Sequence, residues 1–428
     1  MRLLIVSYHF HPSNAIGAVR WTGFAQALES LGSEVRVVAA DAQVENPPAR
    51  VHPHLETIPP NGQEANPLRM LPDRFFSLLR QSNRSMLGED EFPDSTVAPA
   101  GKSRLRREIS AATAAPDVER RWSLKAHASA RRVCRDWAPD LILSSGPPHS
   151  VHVAASALAR ERSVPWVADL RDPLFYVPDP ATWVGRFTNS FLEQLITREA
   201  ALILTTSPTL TREFEGRLGS EKVRTIPNGV ILDDLLAVSP VAWPGFSICH
   251  LGSILADRNP VPVLKALLRL RQSCRDNTYE HSTFRLVGSI SSECRSLVGA
   301  VAHDMGMPDA VELIDPLPRA EALRLLRGSD LAIVLAQNQH HSIPGKLYES
   351  VAAGVPTLVL TECGSATWEM AQSVGAHAVE PWDDEGIERL VARAAQGSLS
   401  ACPPATARDL DYAAKARELR SLLEGLVA

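Results

Sequence analysis

Short continuous apolar runs alternate along this sequence with stretches of helical spacing, and the alternation is played through in two consecutive series. Arg2–Ser7 and Glu34–Ala40 read as buried strands, and between them Gly17–Leu31 places Ala18, Trp21, Phe24, Ala25 and Leu28 on one helical face before Gly32 ends the helix. Further strands are expected at Leu141–Ser144, Pro165–Leu170, Leu202–Thr206 and Val223–Val230, interleaved with helices at 152–160, 187–200 and 209–217. After a Pro-containing stretch, Leu236–Gly245, a second series begins with Phe246–Leu251 and runs through Thr283–Gly288, Val311–Ile314, Leu331–Ala336, Pro356–Leu360 and Ala376–Glu380. Strands alternating with helices bury both faces of a parallel sheet, so the expected class is α/β with two Rossmann-like, doubly wound domains. The boundaries are drawn at 1–238, 239–404 and a terminal helix over 405–428 that crosses back to brace the first domain.

Length and composition agree with that division. At 428 residues the chain exceeds one ordinary core, and 45% hydrophobic with 22% charged residues supplies two. A formal charge of −5 provides no general attraction to nucleic acid. The six cysteines form no C-x-x-C pair and no zinc spacing, as in a reduced cytosolic protein, and no metal is expected. The opening apolar run, Leu3–Val6, is too short for a secretory signal, and no window is long enough to span a bilayer. A cytoplasmic location follows, with membrane contact limited to the periphery. Residues 41–118 read as an irregular insertion, within which Leu68–Arg80 is basic and amphipathic, a pattern suited to packing on its own domain or to a membrane surface.

The richest stretch is His340–Val359, H-H-S-I-P-G-K-L-Y-E-S-V-A-A-G-V-P-T-L-V. It follows a strand, has Pro344-Gly345 at a helix entrance, and ends that helix at Gly354. Such a junction aims backbone N–H groups and the positive helix end into the crevice beyond the strands, and Lys346 adds a full charge for a phosphate. Glu349, three residues on, can accept two hydrogen bonds from a ribose diol. The loop after the first strand, His9–Ile16, leads into Gly17, whose lack of a side chain permits close approach to a ligand, with Arg20 one turn later to reach an anion. Asp169, Arg171 and Asp172 end another strand, and the loop S-S-G-P-P-H-S carries His149, with His152 on the helix that follows.

These motifs together resemble the GT-B glycosyltransferases, and within them the retaining family 4 group. The resemblance rests on the Gly17 loop, P-N-G-V at 227–230 and K-L-Y-E-S-V-A-A-G-V-P at 346–356, and it covers nearly the whole chain except 41–118. It implies two domains facing a cleft and transfer of a hexosyl-type group from a nucleoside diphosphate sugar, UDP- or GDP-linked, to a glycan, a lipid-linked or a small-molecule acceptor, with retention and without metal or other cofactor. By the same resemblance Glu349 binds the donor ribose, and Lys346 with Ile343, Pro344, Gly345 and Leu347 meets the diphosphate or sugar. Gly17, Ser253 and Gly288 approach the donor, and Arg258 neutralises the leaving diphosphate. His149 takes part in the chemistry, with His152 as its substitute, while His11, Arg20, Asp169, Arg171 and Asp172 face the acceptor. Where many relatives carry a glutamate eight residues before the ribose-binding one, this chain has His341.

Two other functions share parts of this pattern. A nucleotide-sugar 2-epimerase would use the same donor chemistry but leaves the basic region 41–118 without a role. A catalytically inactive binding partner would keep the fold, and His341 is the residue that raises it. A dehydrogenase fits poorly, because no G-x-G-x-x-G follows the first strand.

Overall fold

The computed structural model describes residues 1–13, 15–40, 55–58, 104–174, 182–218, 221–255, 257–273 and 278–427. Seven strands form one sheet: β1 (Arg2–Ser7), β2 (Glu34–Ala40), β3 (Leu55–Ile58), β4 (Leu141–Gly146), β5 (Trp166–Leu170), β6 (Leu202–Thr205) and β7 (Val223–Thr225). Their order is β3-β2-β1-β4-β5-β6-β7, with β1–β4, β2–β3, β4–β5 and β6–β7 parallel. Six more, β8 (Ser247–Leu251), β9 (Thr283–Val287), β10 (Val311–Ile314), β11 (Leu331–Leu335), β12 (Thr357–Leu360) and β13 (His377–Val379), form a parallel sheet in the order β10-β9-β8-β11-β12-β13. In both orders the direction of strand addition reverses beside the first strand of the series, the place where open α/β sheets bind ligands. Every residue of β4, β5, β11 and β12 is buried, which reflects burial on both faces.

The helices follow in chain order as α1 (Ile16–Ser30), α2 (Arg104–Ala114), α3 (Arg120–Val133), α4 (Ser150–Arg162), α5 (Trp183–Glu199), α6 (Pro208–Leu218) and α7 (Leu232–Leu236). Then come α8 (Val261–Ser273), α9 (Ser292–Asp304), α10 (Arg319–Arg327), α11 (Gly345–Ala352), α12 (Ala366–Val374), α13 (Asp384–Ala395), α14 (Pro404–Asp409) and α15 (Tyr412–Glu424). By its contacts the chain divides into two units, one of residues 2–9 and 36–201, the other of Met1, residues 10–35 and 202–428.

In the second unit α15 packs along α1. Gly23 makes this possible, because a Cβ there would overlap the Tyr412 ring, which instead lies edge-on to Phe24 at 4.8 Å. The expected continuous terminal helix over 405–428 is in fact two, α14 and α15, broken at Leu410-Asp411. The break has a backbone cause: Leu410 accepts from Val230 N at 3.0 Å and Tyr412 N donates to Val230 O at 3.0 Å, pairings a helix would forbid. Asp411 then caps α15 by accepting from Ala413 N. A second correction concerns residues 41–118, which are not wholly irregular, since β3 and α2 lie within them. The stretch Leu68–Arg80 lies outside the described residues.

Candidate functional site

In the second unit the ends of β8 and β9 are built from two glycines in backbone conformations closed to other residues, Gly252 at φ +117° and Gly288 at φ +139°. A Cβ on Gly288 would sit 2.5 Å from the Gly252 carbonyl oxygen, so the two turns are packed backbone to backbone. A Cβ on Gly252 would in turn overlap the end of the Lys346 side chain. Lys346, in the first turn of α11, therefore extends over Gly252 and donates from Nζ to the Ser253 carbonyl at 3.4 Å. Arg258 reaches the same oxygen with Nη1 at 3.0 Å. Two cations thus converge on one neutral carbonyl at the strand ends. Burial, and then the Arg258 charge, push the Lys346 ammonium down to about 7, against the opposing pull of Glu349. An arriving phosphate would reverse that balance.

The loops holding these groups are fastened from β11. Gln337 accepts from Asn259 N at 3.3 Å and donates to Asn259 O at 3.0 Å, while Asn338, at φ +60°, donates from its side chain to Asp257 O at 3.3 Å. Ile343 and Leu347, expected as donor contacts, place their side chains in the apolar core, so only their backbone is available to a ligand. Pro344 precedes α11 and Gly345 opens it, as the sequence indicated. Glu349 does not face open solvent. Its carboxylate is ion-paired with Arg319 at the start of α10, both side chains being largely buried. Burial alone would lower the Arg319 pKa, but the Glu349 carboxylate, joined by Asp234 and Tyr412, raises it above its ordinary value. Nothing in the local spacing signals the pair, because its members are 30 positions apart.

His341 stands beside α6, with Nδ1 3.3 Å from the Glu213 carboxylate, and its carbonyl accepts from Ser207 Oγ at 2.7 Å. His250 on β8 is fully buried next to the same cations. Its Nδ1 lies 2.9 Å from the Ile333 carbonyl, which can only accept, so the proton is on Nδ1. Burial, then the Lys346 charge, hold it neutral. Glu213, His250 and Arg319 were not expected from the sequence. Gly17 is the second residue of α1 and is buried. His11 donates from its backbone to Thr22 Oγ1 at 3.2 Å. The expectation that Arg20 reaches an anion is corrected: it is fully buried, donating to Pro227 O at 3.1 Å and Asn228 Oδ1 at 3.3 Å, with its guanidinium over the Phe24 ring. Thus P-N-G-V serves as an anchor for α1 and, through Val230, for the start of α15.

In the first unit the ends of β4 and β5 carry a second constellation. Trp166 Nε1 can only donate, so Ser144 Oγ accepts from it at 2.8 Å, and the same oxygen hydrogen-bonds His152 Nδ1 at 2.9 Å. His149 lies alongside at 5.7 Å between ring centres, and both crowd Gly146, where a Cβ would meet His152 Nε2 at 2.6 Å and His149 Nδ1 at 2.9 Å. Burial, then the Arg171 charge, press His149 down to about 4, while burial, then the nearby His149 and Arg171, hold His152 well below its ordinary value. Arg171 donates from Nε to Gly146 O at 3.2 Å and also to Pro147 O. Asp169 accepts from Ser145 Oγ at 2.7 Å, and Asp172 follows Arg171 directly. Asp117 and Glu119, also missed, sit nearby in this unit. Asp117 accepts from Ser150 N and Oγ at 2.6 Å, and burial with the Asp117 charge raises Glu119 to about 7.

Residues 17–229 match the model of a glycosyl transferase 4-like domain. No curated protein matches the chain by sequence. Among solved structures it is similar to sucrose-phosphate synthase from Thermosynechococcus elongatus, with TM-score 0.63, 14% identity and coverage of 99% of this chain and 98% of that one. It is likewise similar to Anabaena HepE in complex with UDP and glucose, at TM-score 0.59 and 15% identity over 100% of both chains. A third is WaaG, a glycosyltransferase involved in lipopolysaccharide biosynthesis, at TM-score 0.55 and 13% identity over 99% of this chain and 98% of that one. With two parallel α/β sheets and a family match over residues 17–229, the chain carries a glycosyl transferase 4-like domain within a GT-B fold.

Proposed function

We propose that the protein transfers a hexosyl group from a nucleoside diphosphate sugar, UDP- or GDP-linked, to an acceptor hydroxyl or amine with retention, in the making of a polysaccharide, glycolipid or secondary metabolite in the cytoplasm. The observation that carries this reading is the convergence of Lys346 and Arg258 on the Ser253 carbonyl above Gly252. A diphosphate placed there exchanges one shared carbonyl for charged oxygens. As the bond from the sugar C1 to the phosphate oxygen breaks, negative charge grows on the leaving group, and the two cations stabilise it. The acceptor oxygen or nitrogen bonds to C1 from the same face and its proton passes to the departing phosphate. Glu349 accepts from the ribose hydroxyls. UDP and UDP-glucose complexes of HepE, a protein of similar fold, support this donor class. The glycan, lipid-linked or small-molecule acceptor is assigned to the first unit, where the neutral imidazoles His149 and His152 can hydrogen-bond hydroxyls without repelling a cation.

A panel of nucleotide sugars tests the reading. One donor should release nucleotide, the release should persist in EDTA because the chain supplies the cations, and it should fall in Arg258→Ala and Glu349→Ala. Absence of turnover with every donor, alongside retained nucleotide binding, would point to an inactive partner instead.

Arg319 supports a narrower expectation. If its pairing holds Glu349 in place, Arg319→Ala weakens nucleoside diphosphate binding by about tenfold, consistent with losing one charge-assisted contact. A 2′,3′-dideoxy nucleotide should lose almost nothing. Equal losses for both ligands in calorimetry would show that Arg319 supports the fold rather than the ribose.

A further inference from the structure

Helix α5, in the first unit, exposes three large aromatic side chains in a single row. Trp183, Phe187 and Phe191 are 60%, 68% and 48% exposed and lie four residues apart, so they form a ridge about 12 Å long on one helix face. Ile109 of α2, a helix that packs against α5, is 49% exposed. Glu108 of α2 accepts from Trp183 N at 3.0 Å, which fixes the end of the ridge. Soluble proteins rarely leave such a row uncovered.

The charges around the row select what covers it. The other exposed positions of α5 are Arg186, Ser190, Gln194 and Arg198. Its two acidic residues are turned aside: Glu193 is half-buried, and Glu199 accepts from Ser156 and pairs with Arg160 at 3.4 Å. On a chain of net charge −5, the exposed residues of α5 are aromatic, cationic or neutral, with no exposed carboxylate among the described residues of this helix. A second copy docking by two-fold symmetry would set this cationic face against itself. A convex ridge needs a matching groove in a protein partner, whereas a bilayer surface yields to it. Trp and Phe on one side with Arg at the margins is the composition of helices that lie in the headgroup region. Among the described residues no helix is long and apolar enough to cross a membrane, so the contact would be peripheral.

We propose that α5 docks the protein on an anionic lipid surface, with Trp183, Phe187 and Phe191 entering the interface and Arg186 and Arg198 meeting the headgroups. The full-length protein should sediment with vesicles of phosphatidylglycerol and phosphatidylethanolamine, less with phosphatidylcholine alone, and less again at high salt. Phe187→Asp with Phe191→Asp should weaken partitioning at least about tenfold. Arg186→Ser and Arg198→Ser should each cost about fivefold, on anionic vesicles only. Because these side chains are exposed, melting temperatures should match the parent. Should a variant fold poorly, the unmodified protein still reports: anionic vesicles should blue-shift its tryptophan emission, and Trp183→Phe should remove that shift. No vesicle association, binding unaltered in the double aspartate variant and in both serine variants, or self-association that the aspartates abolish without vesicle binding would each overturn the proposal. The last would identify a second copy as the occupant.

Discussion

Replacing Lys346 with methionine is expected to lower turnover on the order of 10²–10³-fold, the usual cost of one donor to a developing oxyanion, while raising the melting temperature of the unliganded protein. The two effects share a cause. In the free protein the ammonium is pressed among Arg258 and the strand-end backbone, which holds its pKa near 7 rather than at its ordinary 10.5. Below pH 7 it is charged in both folded and unfolded chains, and the full cost of burying that charge is present. Between about 7 and 10.5 the unfolded chain keeps the proton and the folded chain does not, so stability rises with pH across that window. The methionine variant should therefore gain most at and below pH 7 and nothing above about pH 10.5. Nucleoside diphosphate binding should run the opposite way, weakening by up to about tenfold per pH unit above 7, because the anion favours the ammonium. Thermal melts and calorimetric titration across pH 6–10 read both. A pH-independent gain in stability would mean that the lysine is not held near neutrality.

Gly288→Ala is expected to damage the fold more than any single change at Lys346 or Arg258. At φ +139° the backbone is in a region that only glycine occupies at low cost, and the added methyl would press within 2.5 Å of the Gly252 carbonyl oxygen. The obstacle is backbone, held by Gly252 N donating to Val287 O at 2.6 Å, and so cannot swing away as a side chain would. A loss of about 3 kcal/mol or more, read as a fall in melting temperature on the order of 10 °C, follows. The displaced Gly252 turn would carry the Ser253 carbonyl with it, so nucleotide affinity should fall too. Gly354→Ala is the control: its φ is also positive, at +72°, but a Cβ there meets nothing within 4 Å, and the cost should stay near 1 kcal/mol.

Much of the proposed donor side could be read directly, because it is local. Lys346, Pro344 and Gly345 belong to one strand–loop–helix junction, and period, punctuation and charge within a dozen residues locate it. Gly252 and Gly288 announce themselves as strand ends for the same reason. The partners of those residues could not be read. Arg319 answers Glu349, Glu213 answers His341 and Ser150 answers Asp117 across 30 to 128 positions of sequence. An arginine in a helical pattern looks alike whether it is solvated or paired. Arg20 shows the error this produces, since its place one turn after Gly17 suggested a ligand contact, whereas its guanidinium is consumed by the Pro227 carbonyl and Asn228.

The division between the two levels is physical. Alternating strands and helices, the two sheets and the glycine turns follow from sequence alone, because backbone conformation and two-sided burial are imposed on short segments one at a time. Tertiary structure decided which charges are shared, which are buried and which remain available. It broke the terminal helix at Leu410-Asp411 to satisfy Val230, turned Arg20 inward, and set Lys346 beside Arg258. Those outcomes depend on distances between residues remote in the chain, and electrostatic energies are set by such distances and by the burial that accompanies them.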